Sequence, residues 1–281
     1  MTIGAVSKLK GRAASLPRNL WTLERFGLTP SKLPHRLFDR SAPRVLSVSL
    51  PKAGTHLLER ALCLHPRLYR KILATVWPEA LDRWGGLEGL LRTLGPGQVL
   101  VAHLPFEPDY PDAMAATDTG ALLLVRDPRD IVISQAHYAV TRPDHPFYEA
   151  FARCTTLEER IRVAIDGDEQ TGLLSVAERL DRYAGWMGAA AFVVRFEDLI
   201  GPNGGGDIER QRLAVQGMYR HLGVESDDAL VERVCRRLFS GDSPTFRRGS
   251  IGGWRSQFDH DLSSRFDTAA GDRLAAYGYE R

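Results

Sequence analysis

The chain has 281 residues, 43% of them hydrophobic and 26% charged, the balance of a soluble globular protein that buries one large core. A formal net charge of +2 is too small to argue for nucleic acid or an anionic membrane as a partner. Cys63, Cys154 and Cys235 are widely spaced and odd in number, so they make neither a metal-spacing motif nor a disulfide framework. No apolar run follows Lys8, Lys10 and Arg12 as a signal peptide would require, and none approaches the about 20 residues that span a bilayer. A cytoplasmic, single-domain protein is expected.

Residues 1–40 are basic and punctuated by Pro17, Pro30 and Pro34, and read as an N-terminal arm on a domain covering 41–281. Val45 to Leu50 is β-branched and apolar, a buried strand that Pro51 ends. From Thr55 the period changes, with Leu57, Leu58, Ala61 and Leu62 on one helical face. Leu73 to Leu94 has a helical pattern broken by Pro78 and Gly85–Gly86. A second strand is predicted at Val99 to Ala102 and a third at Leu122 to Val125, the latter running into a helix that starts near Ile131. Helices are predicted over about 147–164 and 173–187, then a fourth strand at Phe192 to Arg195. The glycine-rich Gly201 to Gly206 is a loop, and two helices follow at about 208–221 and 227–238. A glycine- and arginine-rich stretch fills 244–258, and Ser263 to Ala276 is helical in pattern. Strands separated by helices imply an α/β fold: three layers, α/β/α, around a central parallel sheet, with ligands at the carboxyl ends of the strands.

Three of those strand ends carry polar groups. The first strand turns through Pro51-Lys52-Ala53-Gly54-Thr55-His56 into a helix. Uncapped amides and the dipole at a helix start favour an anion, and Lys52 adds a compact cation. It stands out because the chain uses arginine for nearly all its positive charge, with no lysine after Lys71. The turn is not a Walker A loop: Lys52 precedes the glycine, and no serine or threonine follows it to hold magnesium. His103 ends the second strand, where an imidazole can accept a proton near neutral pH. Arg126 ends the third, where its fork suits a phosphate or an ion pair with Asp127 or Asp130. No magnesium or zinc ligand set is present, so no metal is expected.

PKAGTH (51–56), AHLP (102–105), VRDPRDIVIS (125–134), RFEDL (195–199) and FRRGSIGGW (246–254) together resemble, in order and rough spacing, the motifs of the PAPS-dependent sulfotransferases, cytosolic-type branch. The resemblance spans about residues 44–260 and implies their P-loop-like α/β fold. It implies that Lys52, Ala53, Gly54, Thr55 and His56 bind the 5′-phosphosulfate of PAPS (3′-phosphoadenosine 5′-phosphosulfate), with Lys52 on the departing phosphate. Arg126 and Ser134 would hold the 3′-phosphate, Phe246, Arg247, Arg248 and Gly249 would close over the nucleotide, and Phe196 would stand at the nucleotide site. His103 matches the general base, with His56 and Glu59 as rivals, Glu59 after the carboxylate base of the carbohydrate-directed branches.

The chain departs from the family pattern at several places. Leu57 stands where a tryptophan stacks on adenine, Val101 where a lysine precedes the histidine, and Phe196 where the family has a tyrosine. No dimer-type motif is visible in Asp227 to Ser243. The expected activity is transfer of a sulfuryl group from PAPS to a hydroxyl or amine of a small-molecule or glycan acceptor. The alternatives are a small-molecule kinase or a non-catalytic nucleotide-binding protein of the same fold. Acceptor choice is expected to reside in 72–95, 104–118 and 136–187, which carry Trp77, Trp84, Phe106, Tyr110, Tyr138, Phe147, Tyr148 and Phe151. A lid over 244–256 that closes on nucleotide is expected from the glycines and the Arg247–Arg248 pair.

Overall fold

The computed structural model describes residues 20–189, 191–239 and 251–281. Five parallel strands form its sheet: β1 (Arg44–Ser49), β2 (Tyr69–Arg70), β3 (Gln98–Ala102), β4 (Thr119–Val125) and β5 (Ala191–Arg195). Their spatial order is β2-β3-β1-β4-β5. The four strands read from the sequence are all present; β1, β3 and β4 carry the apolar runs that burial on both faces demands, while β5, at the sheet edge, is mostly half-buried. In β1 every residue from Val45 to Ser49 is buried, and in β4 every residue from Ala121 to Val125. β2 was not expected, since two residues are too short to carry a period.

The order of the strands decides where a ligand can sit. After β1 the chain moves to one side for β2 and β3, then crosses β1 to lay down β4 and β5 on the other. Crossovers leaving β1 in opposite directions open a crevice at its carboxyl end. β1 pairs with β3 on one side (Val48 opposite Ala102) and with β4 on the other (Ser49 opposite Leu124). The polar ends of these three strands are therefore side by side.

Helices complete the layers: α1 (Thr55–Cys63), α2 (Pro128–Ala139), α3 (Leu157–Asp166), α4 (Val176–Gly188), α5 (Phe196–Leu199), α6 (Ile208–His221), α7 (Asp228–Leu238) and α8 (His260–Ala270). The helix expected over 147–164 is two pieces, Tyr148–Ala152 and α3. Thr156 and Glu159 form a capping box that starts α3 afresh, as Ser175 and Glu178 do for α4. The stretch from Leu73 to Leu94 yields only a 3₁₀ segment, Pro78–Trp84, and a short helix, Leu87–Leu91, separated where Gly85 and Gly86 take positive φ. The tail helix starts at His260 and ends at Ala270, earlier at both ends than its pattern suggested.

Trp21, Glu24, Arg25 and Lys32 tie the chain before β1 to the core. Lys32 is 1% exposed, and its ammonium donates to the carbonyls of Cys63 and Leu68, closing off the end of α1. Burial lowers its pKa to about 8. Arg25 binds Glu59, Arg60 stacks on Trp21, and Arg237 pairs with Glu24. Among the described residues no helix is long and apolar enough to cross a membrane.

Candidate functional site

The turn between β1 and α1 is shaped by two positive φ angles, 72° at Lys52 and 112° at Gly54. Glycine is required at the second. A Cβ there would come within 2.6 Å of Phe196 Cδ2, so the ring at the start of α5 packs where a side chain would stand. Ala53 is fully buried and its amide donates to Leu50 O at 3.1 Å, closing the turn. Thr55 Oγ1 lies 2.8 Å from Ser49 Oγ, tying the first residue of α1 to the last of β1. Gly54 offers no capping side chain and no acid stands in the first turn of α1, so the positive field of its N-terminus is uncancelled.

Lys52 extends from this turn over α2, where its Nζ lies 3.3 Å from the centroid of the Tyr138 ring. Burial, then the positive charge of Arg126, lowers its pKa to about 8. Arg126, one residue past β4, stacks on Phe196 (4.3 Å), approaches the carbonyl of Lys52 at 3.5 Å and pairs with Asp130 at 3.8 Å. The lysine and the arginine therefore meet beside the uncapped helix start. Two cations and a helix dipole converge here, the arginine also paired with Asp130, an arrangement that can take an anion.

His103 closes the other side. Its Nδ1 lies 2.8 Å from the carbonyl of Ser49, an oxygen that can only accept, so Nδ1 carries the proton and Nε2 is left as the acceptor. Trp77 packs on the imidazole, with ring centroids 4.6 Å apart. Burial, reinforced by the charges of His56 and Lys52, lowers the pKa to about 4, so the ring is neutral at pH 7.

The rival bases are placed differently. Glu59 is 1% exposed and held by Arg25 and by Arg70, whose Nη1 is 2.7 Å from Oε2. The hydrogen bond from His56, then Arg70 and Arg25, outweigh burial and keep its pKa below the ordinary value. His56 is exposed, with its Nδ1 3.5 Å from the same carboxylate.

α2 presents Asp130, Ser134 and Tyr138 at i, i+4 spacing, one face of the helix. Tyr138 carries Lys52 and Asp130 pairs with Arg126, so half-buried Ser134 lies between them on the face turned to the anion site. Asp130 also accepts the amides of Gly252 (2.9 Å) and Trp254 (3.0 Å), and Asp127 accepts Trp254 Nε1 at 3.1 Å. These bonds anchor the chain directly after residue 250 to the start of α2. Phe246, Arg247, Arg248 and Gly249, and most of the expected lid, lie outside the described residues.

Two features were missed by sequence reasoning: the Ser49 carbonyl that sets the His103 tautomer, and the Tyr138 ring as the seat of Lys52. Neither left a signal, because the first is a main-chain oxygen and the second pairs residues far apart in the chain.

No protein-family model matches the chain, and no curated protein matches it in sequence. Its fold is nonetheless that of the cytosolic-type sulfotransferases. It is similar to the crystal structure of the mouse sulfotransferase SULT7A1 complexed with PAP, with a TM-score of 0.61 and 17% identity, covering 87% of this chain and 89% of that one. Retinol dehydratase is similar in two complexes. The one with androsterone and the inactive cofactor PAP gives a TM-score of 0.54 and 13% identity over 87% of this chain and 85% of that one. The one with retinol and PAP gives 0.55 and 15% over 87% and 86%.

Proposed function

We propose that the protein is a PAPS-dependent sulfotransferase acting on a hydroxyl or amine of a small-molecule acceptor. One observation carries this reading. A neutral imidazole with its acceptor nitrogen free stands on the strand next to a turn that gathers a lysine, an arginine and an uncapped helix start. A proton acceptor beside an anion site is what sulfuryl transfer to a hydroxyl requires. Solved structures of the same fold hold PAP, the product of PAPS, which supports the choice of donor. They do not favour the small-molecule kinase or the non-catalytic binding protein.

The residues present fit PAPS. Gly54 lets the turn take its left-handed backbone against the packed Phe196 ring, and Lys52 is a half-buried cation whose lowered pKa an anion would restore. PAPS would supply the sulfuryl group and a phosphate as leaving group. Lys52 and the amides of the turn would stabilise the charge that develops on that phosphate. Arg126 and Ser134 would hold the 3′-phosphate, with Arg247, Arg248 and Gly249 as further candidates. His103 Nε2 would take the proton from the acceptor as its oxygen or nitrogen bonds to sulfur. Phe196 fills the space behind Gly54 and beneath Arg126 and so would act by shaping the turn. Glu59, already held by Arg25 and Arg70, is a poor base beside His103.

The assignment is tested by incubating the protein with PAPS labelled with ³⁵S in the sulfuryl group and a panel of phenols, alcohols and amines. Labelled product with stoichiometric release of PAP is expected. Loss of a phosphoryl group from ATP to the same acceptors, with PAPS inert, would replace this reading with the kinase.

A further inference from the structure

We propose that Tyr138 is a positioning residue for Lys52, its ring face seating the ammonium at the mouth of the phosphate-binding turn. This deepens the sulfotransferase reading, which it rests on for its role in turnover. Lys52 has a left-handed backbone, φ 72°, which sends its side chain away from α1 and across to α2. There the ammonium meets the face of Tyr138 at 3.3 Å from the ring centroid, the negative side of the ring quadrupole. The ring is braced from behind: His145 stands edge-on to it, with centroids 5.5 Å apart and planes at 83°, and Phe147 packs on His145 at 5.7 Å.

The charges around Lys52 explain why such a seat is needed. Arg126 approaches from the end of β4, His103 from the end of β3 and His145 from beyond α2. None is an acid. Burial and Arg126 both push Lys52 toward its neutral form, which could not stabilise a departing phosphate. An aromatic face favours the charged form without forming a salt bridge that a donor phosphate would have to break.

Packing and cation–π attraction are separated by replacing the tyrosine with rings of equal shape and different charge density. Tyr138→Phe, and mono-, di- and trifluorophenylalanine introduced at position 138, form the series. The first readout needs no activity. Competitive acetylation across pH, read by mass spectrometry, titrates Lys52 individually, because the other lysines are only Lys8, Lys10, Lys32 and Lys71. The apparent pKa of Lys52 should hold in Tyr138→Phe and fall stepwise with fluorination, by about one unit at trifluorophenylalanine. With PAPS, kcat should follow the same order and drop roughly tenfold in Tyr138→Leu, while PAP affinity changes by less than about threefold. A Lys52 pKa constant across the fluorinated series would overturn the seat. If the pKa moves as expected but the wild-type protein binds no PAP, the seat stands and the sulfotransferase reading fails instead.

Discussion

The carbonyl oxygen of Ser49 receives the Nδ1 proton of His103 across 2.8 Å, joining the last residue of one strand to the first residue past its neighbour. This bond, with Trp77 against the ring, fixes both the tautomer and the aim of the imidazole. It makes the roles of His103 and Lys52 separable by mutation. His103→Ala should lower kcat by about 100-fold to 10,000-fold, the usual contribution of a general base. PAP affinity measured by calorimetry should stay nearly unchanged. If Glu59→Gln is inactive and His103→Ala is not, the base is misassigned.

The pH dependence of kcat/KM should be a bell set by the free enzyme. His103 must be neutral to accept a proton, and its pKa of about 4 places the acid limb well below that of an ordinary histidine. Lys52 must be charged, and its pKa of about 8 places the alkaline limb there. Lys52→Arg should remove the alkaline limb while retaining part of the activity, since a guanidinium does not titrate in this range. An acid limb near 6.5 would show that His103 is not held neutral by its surroundings.

Gly54 and Phe196 are mutually dependent. Gly54→Ala places a methyl group at a φ of 112° and within 2.6 Å of the Phe196 ring. Urea unfolding should show a loss of about 2 kcal/mol or more, from the strained backbone and the clash together. Phe196→Leu in the same chain should recover the part due to the clash and leave the part due to φ. Full stability of Gly54→Ala alone would mean that the turn is more adaptable than its packing indicates.

The sequence carries the fold and half of the site, and the reason lies in range. The strand–turn–helix at Val45 to Leu62, the apolar strands and the polar residues at their ends all follow local rules, and the sheet assembles them as the pattern required. Interactions that cross the chain leave no such trace. Lys32 carries no local signal of burial, yet it closes the end of α1 from 31 residues away. Glu59 reads as a candidate base, yet Arg25 and Arg70 come from segments with no local reason to meet it. Tyr138 reads as one aromatic among eight near the acceptor side, and only the left-handed turn at Lys52 brings the ammonium onto its ring.

Acid should weaken the fold before it protonates most carboxylates. His65 is 1% exposed, donates from Nε2 to Glu225 O at 3.0 Å and accepts the Arg67 amide at Nδ1, so neither nitrogen has room for a second proton. Burial is the main cause that lowers its pKa to about 4, as for His103. The unfolded chain, with histidines near 6.5, binds more protons between these values, so stability falls as pH drops from about 6.5 to 4. The loss is up to about 1.4 kcal/mol per pH unit for each histidine. Urea midpoints at pH 7 and pH 5 measure it, and His65→Gln should flatten the slope. An unchanged slope in that variant would assign the acid sensitivity elsewhere.

The central claim is that the crevice at the end of β1 is built for a nucleotide with both a 5′-phosphosulfate and a 3′-phosphate. Titration calorimetry with PAP, AMP and magnesium ATP on the wild-type protein tests it most directly. Each charge-assisted hydrogen bond to the 3′-phosphate is worth roughly 1.5–3 kcal/mol, so PAP should bind about 100-fold or more tightly than AMP, with magnesium ATP no better than AMP. Arg126→Ala should remove most of that difference. Equal affinity for PAP and AMP, or magnesium ATP binding as tightly as PAP, would contradict the account.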